Sequence, residues 1–199
     1  GRTQVNGSHY HGGYLWVCGN NYPTTPEKGW VLKIDPSDLS VVAAYDTEAH
    51  HAEGGQWRDI GNGDEFWVVY NDADICSRYD SSFNLVASYS LPLGLGLSFG
   101  YQDLKWIGDY IITPVHLDNS PSNTVDVHRW TGSGFVGADR LTPPTLNSGQ
   151  GLVWGTTGTP DVGDDLLFVD RPGNRIVRAR WNFIPPALGV PNRTLLGVG

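Results

Sequence analysis

Four polar side chains recur along the chain at a nearly constant spacing and could contact one ligand together. They are His9, Gln56, Gln102 and Gln150, separated by 47, 46 and 48 residues. Imidazole and amide groups donate and accept hydrogen bonds, so a ring of them could hold a polar ligand or ordered water. The alternative is a structural role, because buried polar side chains need partners in any fold. The pattern favours the structural role, and ligand contact is the sharper hypothesis.

A second group of candidates lies in the segment 46–53, where two histidines stand between acidic residues. Histidine nitrogen and carboxylate oxygen are ligands for zinc and other divalent ions. Adjacent side chains of an extended chain point to opposite sides, however, so His50 and His51 are a poor pair for one ion. We interpret both, with His116 from a later loop, as ligand contacts on a solvated acidic surface.

Two aromatic residues could supply a flat surface for a sugar. Tyr22 and Trp57 are predicted near loops rich in asparagine and aspartate. An exposed ring with polar neighbours offers an apolar face and hydrogen-bonding edges to the same ligand. For Trp57 a buried contact between sheets is the competing interpretation.

These candidates are carried by a repeat of about 47 residues that occurs four times. Each copy has an apolar run in the same slot, as in 13–17, 64–68, 109–113 and 165–169. The strand-forming runs alternate with Gly, Pro, Asn and Asp, and none has sustained helical spacing. A period of this length built from short strands is typical of propeller blades. The prediction is an all-β fold, a small β-propeller with four blades of four antiparallel strands.

We predict one domain, 1–199, with blades at about 8–46, 55–90, 101–140 and 150–198. The inner strands are predicted at 8–12, 55–60, 101–107 and 150–155. This leaves Gly1–Gly7 spare, either as an added outer strand beside 193–198 or as a connection to a further domain. Antiparallel alternation then places most long loops on one face of the propeller. Binding residues concentrate on long loops of rigid scaffolds, so this face is the candidate functional face.

The last repeat resembles an NHL-type propeller repeat. The similarity rests on 148–153, on Gly163-Asp164-Asp165-Leu166-Leu167-Phe168-Val169-Asp170 and on Gly173-Asn174-Arg175-Ile176-Val177. It covers about a quarter of the chain and implies the fold, which hosts many unrelated functions.

A weaker resemblance, to propellers of the SMP-30/gluconolactonase family, implies a divalent ion on the axis. The residues that could take that role are Asn71, Asp103 and Asp170. His9 stands where the family places a glutamate, so the sequence departs from its pattern. The cofactor prediction is therefore either none or a divalent metal ion on the propeller axis.

The composition of the chain narrows the classes of partner that the protein is expected to bind. The net charge of −8 disfavours nucleic acid and anionic membrane surfaces, which both attract basic proteins. No apolar stretch is long enough for a spanning helix, so membrane insertion is not expected. The triplets Asn6-Gly7-Ser8 and Asn192-Arg193-Thr194 match the N-glycosylation acceptor and point weakly to an extracellular protein. Cys18 and Cys76 are interpreted as buried thiols in preference to a disulfide.

The leading hypothesis is a non-catalytic binding module for a glycan or another cell-surface component. It would be an extracellular adhesin, a lectin-like protein or a phage receptor-binding domain, placed outside the cell or on a virion surface. The alternatives are a metal-dependent hydrolase or lactonase and a scaffold for protein interaction or oligomerisation. No nucleophile motif stands out, and the sequence leaves open whether the chain oligomerises or belongs to a longer protein.

Overall fold

The fold is an all-β, four-bladed β-propeller, as predicted. The computed structural model describes residues 4–23, 26–48, 50–61, 63–92, 99–117, 124–143, 146, 149–156, 160–161, 163–170 and 173–182. Within these ranges the chain forms strands and turns and no helix. Accordingly, no described segment is a helix able to cross a membrane.

The first two blades are complete antiparallel sheets of four strands in sequence order. Blade one consists of β1 (Gln4–His11), β2 (Tyr14–Asn20), β3 (Gly29–Ile34) and β4 (Val41–Asp46). Blade two consists of β5 (Ala52–Asp59), β6 (Asp64–Tyr70), β7 (Ile75–Tyr79) and β8 (Leu85–Ser90). In each blade the first strand is the inner one, as predicted for a propeller.

Blades three and four depart from this regular pattern. The inner strand of blade three is divided into two short strands, and both pair with the strand that follows them in the chain. Its strands are β9 (Phe99–Tyr101), β10 (Lys105–Ile107), β11 (Tyr110–Leu117), β12 (Val125–Trp130) and β13 (Phe135–Leu141). Blade four contains β14 (Gly149–Trp154), β15 (Asp165–Asp170) and β16 (Arg175–Arg180). Its predicted outer strand at 192–198 lies outside the described residues.

The inner strands differ from the prediction in ways that matter for the site. Strand β1 begins at Gln4, so most of the segment predicted as spare belongs to the first blade. The pairing register shifts between Val5 and Ser8 in β1 and between Ala52 and Gly54 in β5. Such irregularities re-aim the side chains that follow them.

Large aromatic side chains fill the spaces between consecutive blades. Trp16 meets Trp57 edge-to-face at 4.9 Å between blades one and two, and Trp67 meets Trp106 at 5.3 Å between blades two and three. Trp154 meets Trp181 at 5.9 Å within the cluster that joins blades three and four. Pairs of this geometry contribute about 0.5–1.5 kcal/mol beyond their buried area. The described residues form no such cluster between blades four and one.

Basic side chains and both cysteines pack within these sheets. Lys33 Nζ lies 3.8 Å from the centre of the Tyr14 ring, and Arg180 Nε lies 3.7 Å from Asp165 Oδ1. Cys18 and Cys76 are both free and buried, and burial raises the pKa of each thiol. The thiol interpretation is therefore confirmed.

Candidate functional site

Asp103 lies where inner strands of all four blades meet. This residue lies in the interruption between β9 and β10, and its Oδ2 accepts a hydrogen bond from the N–H of Leu152 in β14, at 3.0 Å. On the other side, a Cβ at Gly54 would lie 2.5 Å from Asp103 Oδ1, so only glycine fits there. Gly7 of β1 borders the same carboxylate. We call these four residues, Gly7, Gly54, Asp103 and Leu152, the partition.

A buried ion pair supports the partition. Lys105 Nζ donates to both carboxylate oxygens of Asp103, at 2.9 and 3.0 Å, and to the carbonyl oxygen of Leu104 at 3.0 Å. The Leu104 N–H also donates to Asp103, at 2.8 Å. Burial raises the pKa of Asp103, and Lys105 opposes this effect. All three protons of the ammonium group therefore have acceptors, and both carboxylate oxygens have donors.

On the long-loop face of the partition lies a polar cavity of about 240 Å³, which we call the upper cavity. Its lining residues come from the inner strands of all four blades and from β15: Gln4, Val5, Asn6, Glu53, Gln102, Gln150, Gly151 and Val169. The cavity thus lies on the predicted functional face and contains two of the four predicted polar residues. Three of its polar residues, Gln4, Asn6 and Glu53, were missed by the sequence analysis.

Gln102 lines the upper cavity with a buried amide group that lacks one hydrogen-bond partner among the described residues. Its side chain is only 4% exposed, and its Nε2 group has no hydrogen-bond partner among the described residues. Its own N–H donates to the Pro114 carbonyl at 3.0 Å, which fixes the backbone where the inner strand is interrupted. A buried donor without a partner costs about 1–3 kcal/mol, so a ligand acceptor at this point would be stabilised.

A chain of ionisable groups leads from the upper cavity to the surface. His51 Nε2 lies 3.0 Å from Glu53 Oε1, and His51 Nδ1 lies 2.9 Å from Glu27 Oε2. Burial by itself would lower the pKa of His51, but Glu53, with Glu27 and Asp72, outweighs this effect and holds the pKa above its usual value. Burial also raises the pKa of Glu53, an effect that His51 and the side chain of Asn71 oppose.

The other predicted contacts are not among the residues that line the upper cavity. The Tyr22 ring is 46% exposed and lies 5.9 Å from the His51 ring. His50 points away from this pair: its ring packs 5.4 Å from Tyr70, and its Nδ1 lies 3.3 Å from Asp72. The backbone of His116 pairs with Gly100 in β9, and its side chain lies outside the described residues.

The opposite side of the partition holds a larger cavity of about 490 Å³, the lower cavity. It is lined by Ser8, His9, Tyr10, Leu15, Gln56, Lys105, Val153, Trp154, Thr156 and Pro160. The predicted ring of four polar residues is therefore split, with His9 and Gln56 in this cavity and the later two glutamines in the upper one. A constant spacing in sequence could not reveal this, because bulges and the interrupted strand of blade three shift the register.

Trp57 does not provide a sugar platform. It is 7% exposed and packs between Trp16 and Phe66 in the first aromatic cluster. Trp57 therefore makes a buried contact between sheets, which was the competing interpretation. Asn6, one of the predicted glycosylation acceptors, is likewise engaged in β1, where its Nδ2 donates to the Ala52 carbonyl at 2.9 Å.

The three predicted metal ligands have other partners. Asp103 belongs to the partition, and buried Asp170 accepts a hydrogen bond from Arg175 Nε at 2.9 Å. Asn71 interacts with Glu53. Across the part of the chain that the structure describes, no group of three or more His, Cys, Asp and Glu residues has an arrangement suited to a metal ion. The residues present thus do not fit the lactonase-type ion site.

Of the comparisons with known proteins, the one with solved structures found matches. No family model and no curated protein matches the chain. Among solved structures, the β-propeller domain of Cps50 (Swd1) from Myceliophteria thermophila aligns with a TM-score of 0.49 and 14% identity, over 88% of this chain and 53% of that one. Dihydro-heme d1 dehydrogenase NirN aligns with a TM-score of 0.47 and 14% identity, over 89% of this chain and 38% of that one. The chain thus spans about half or less of these structures.

Proposed function

We propose that this propeller is a binding module and that its upper cavity holds one sugar unit of a glycan. The observation that carries the proposal is the buried amide of Gln102, a lining residue whose Nε2 donor has no partner among the described residues. A ligand hydroxyl or carbonyl oxygen would accept this hydrogen bond. The cavity of about 240 Å³ is smaller than common drug-sized pockets of about 300–1,000 Å³, which suits a single ring.

The lining chemistry supports a ligand with many hydroxyl groups. Gln4, Asn6, Gln102 and Gln150 provide amide donors and acceptors, and Glu53 provides a further acceptor. Each sugar hydroxyl donates one hydrogen bond and accepts others, so it can be matched by amides and a carboxylate together.

Charge favours a neutral sugar over an acidic one. Glu53 and Glu27 flank His51, so this part of the site holds two carboxylates and one imidazole. No lysine or arginine lines the upper cavity in the described residues. An anionic sugar would meet repulsion here, whereas a neutral hexose would not. The half-exposed Tyr22 ring, which lies beside His51, offers an apolar surface for the C–H face of a neighbouring sugar.

This activity suits a protein that acts at a cell surface. We extend the proposal to an extracellular adhesin, a lectin-like protein or the receptor-binding part of a phage tail, because each presents such a site on a rigid scaffold. The NHL-type resemblance of blade four concerns the scaffold and leaves the ligand to the site residues.

The test is a glycan array followed by titration of the best neutral glycan against variants. Gln102→Leu keeps the approximate size of the side chain and removes the unpartnered donor, so affinity should fall about 10-fold or more. Gln56→Leu is the matched control, since it removes the same group on the other side of the partition. Thermal melting of each variant separates loss of binding from loss of fold.

Two results would contradict the proposal. One is that no neutral glycan on the array binds the protein. The other is that Gln102→Leu binds the best neutral glycan with the affinity of the wild type. The hydrolase alternative predicts a stoichiometric divalent ion in protein purified without chelator, lost together with lactonase activity when Asp103 is replaced by Ala. Finding both would replace the binding module with an enzyme.

A further inference from the structure

The lower cavity is chemically unlike the upper one and is separated from it by the partition. Its volume of about 490 Å³ falls within the common range for small-molecule sites, about 300–1,000 Å³. It reaches from the axis into the space between blade one and blade four, where the described residues form no hydrophobic cluster. A second ligand could therefore bind here without contact to the first.

The axial end of the lower cavity is polar but electrically neutral. Lys105 gives its three protons to Asp103 and the Leu104 carbonyl, so its charge is already paired. Burial, with the nearby charge of Lys105, lowers the pKa of His9 to about 3, so its ring is neutral near pH 7. The Oε1 atom of Gln56 accepts the Trp106 N–H at 2.9 Å, and its Nε2 group has no partner among the described residues.

The outer part of the lower cavity has apolar walls. Tyr10 and Leu15 are cross-strand partners in the β1–β2 hairpin, so their side chains share one face. Val153 and Trp154 of β14 and Pro160 complete the lining. Tyr10 is 63% exposed and Val153 is 53% exposed, an unusual state for residues beside a propeller axis. A ligand lying between them would remove this apolar surface from water.

We propose that the lower cavity binds a second ligand, a neutral amphipathic small molecule with a flat apolar body. The body, an aromatic ring system, lies between Tyr10 and Val153. An uncharged carbonyl or amide head points to the axis, where Gln56 donates a hydrogen bond and His9 donates or accepts one. A charged head is excluded because the ion pair leaves no free charge to compensate it.

Naphthalene-2-carboxamide is a suitable probe, and 2-naphthoate is its charged counterpart of nearly the same shape. NMR titration would follow the indole N–H signal of Trp154, which lies in the cavity wall. For about 13 non-hydrogen atoms, a Kd of about 1 mM is expected for the carboxamide. At pH 7.5 the carboxylate of 2-naphthoate should weaken binding about 10-fold or more.

A cavity-filling variant locates the site. Val153→Trp places a large ring in the cavity from an exposed position, so the fold should tolerate it, and carboxamide affinity should fall at least about 10-fold. Ile176→Trp is the matched control, because Ile176 is an exposed residue of the same blade outside both cavities. Gln102→Leu should leave carboxamide binding unchanged, which keeps this test independent of the upper cavity.

Three outcomes would overturn the inference. They are no saturable binding of the carboxamide, equal binding to Val153→Trp and the wild type, and equal affinity for the carboxamide and 2-naphthoate. The first two would remove the site, and the third would remove the neutral axial head from the proposal.

Discussion

At the scale of single residues, buried polar groups without partners separate into two kinds. Gln102 faces a cavity, so a ligand can complete its hydrogen bonds. His128 is fully buried among Tyr101 and Phe135, and neither ring nitrogen has a partner among the described residues. Burial lowers the pKa of His128 to about 3. The first residue points to function, and the second makes stability depend on pH.

The His128 effect has a definite sign. The folded pKa of about 3 lies below the unfolded value of 6.5, so the stability is complete above pH 6.5 and declines as pH falls toward 3. His128→Leu should reduce the loss of unfolding free energy between pH 7 and pH 5.5 by about 1 kcal/mol. Urea unfolding at both pH values measures this. Val127→Ala, a core substitution beside it that changes no titratable group, is the control and should lower the free energy of unfolding equally at the two pH values. If both variants lost the same free energy of unfolding between pH 7 and pH 5.5, the argument would be contradicted.

The Glu27–His51–Glu53 chain gives a second prediction at this scale. Glu27→Gln removes one of the three carboxylates that hold the pKa of His51 above its usual value, so that pKa should fall. Because a raised histidine pKa contributes stability below pH 6.5 that is lost as pH rises through the folded value, the variant should lose stability chiefly on the acidic side. NMR titration of His51 measures the shift. Glu65→Gln, near Arg78, serves as the control, and an unchanged His51 titration in Glu27→Gln would refute the coupling.

At the scale of elements, strand β5 must approach Asp103 closely for the partition to form. Gly54→Ala would place a methyl group 2.5 Å from Asp103 Oδ1 and close to the Asp103 backbone. The backbone cannot easily move away. The expected cost is about 1–3 kcal/mol, as for overpacking of a core. Gly134→Ala is the control, since a Cβ there meets open space. Chemical denaturation of both variants measures the difference; equal stability would show that the partition is loosely packed.

The same elements show what the sequence could and could not predict. Regular alternation and turn residues predicted the four sheets, because hydrophobic periodicity depends on local pattern alone. The start of β1 at Gln4 and the break between β9 and β10 depend on contacts between blades, which spacing does not encode. For that reason the spacing grouped His9 and Gln56 with Gln102 and Gln150, although the two pairs line different cavities, and it gave no signal for Asn6 or Glu53. Counting back from the hairpin that ends each inner strand would have aligned them better.

At the scale of the whole molecule, one ion pair at the axis touches every blade. Asp103 and Lys105 belong to blade three, Leu152 donates from blade four, and glycines of blades one and two close around the carboxylate. The partition therefore brings residues of all four sheets into contact at one place. It also separates two cavities of different chemistry, which are the proposed sites of two unlike ligands.

A double-mutant cycle tests whether Asp103 and Lys105 stabilise the partition as a pair. Asp103→Asn leaves the Lys105 charge buried without its partner, and Lys105→Met leaves the carboxylate without its ammonium. Each should lower the unfolding free energy by about 3–5 kcal/mol, because an uncompensated buried charge is severely destabilising. The double variant should lose less than the two single losses together, by about 0.5–3 kcal/mol. Circular dichroism and tryptophan fluorescence should give coincident unfolding curves for the wild type. Additive losses would mean that the two charged groups stabilise the fold independently of each other.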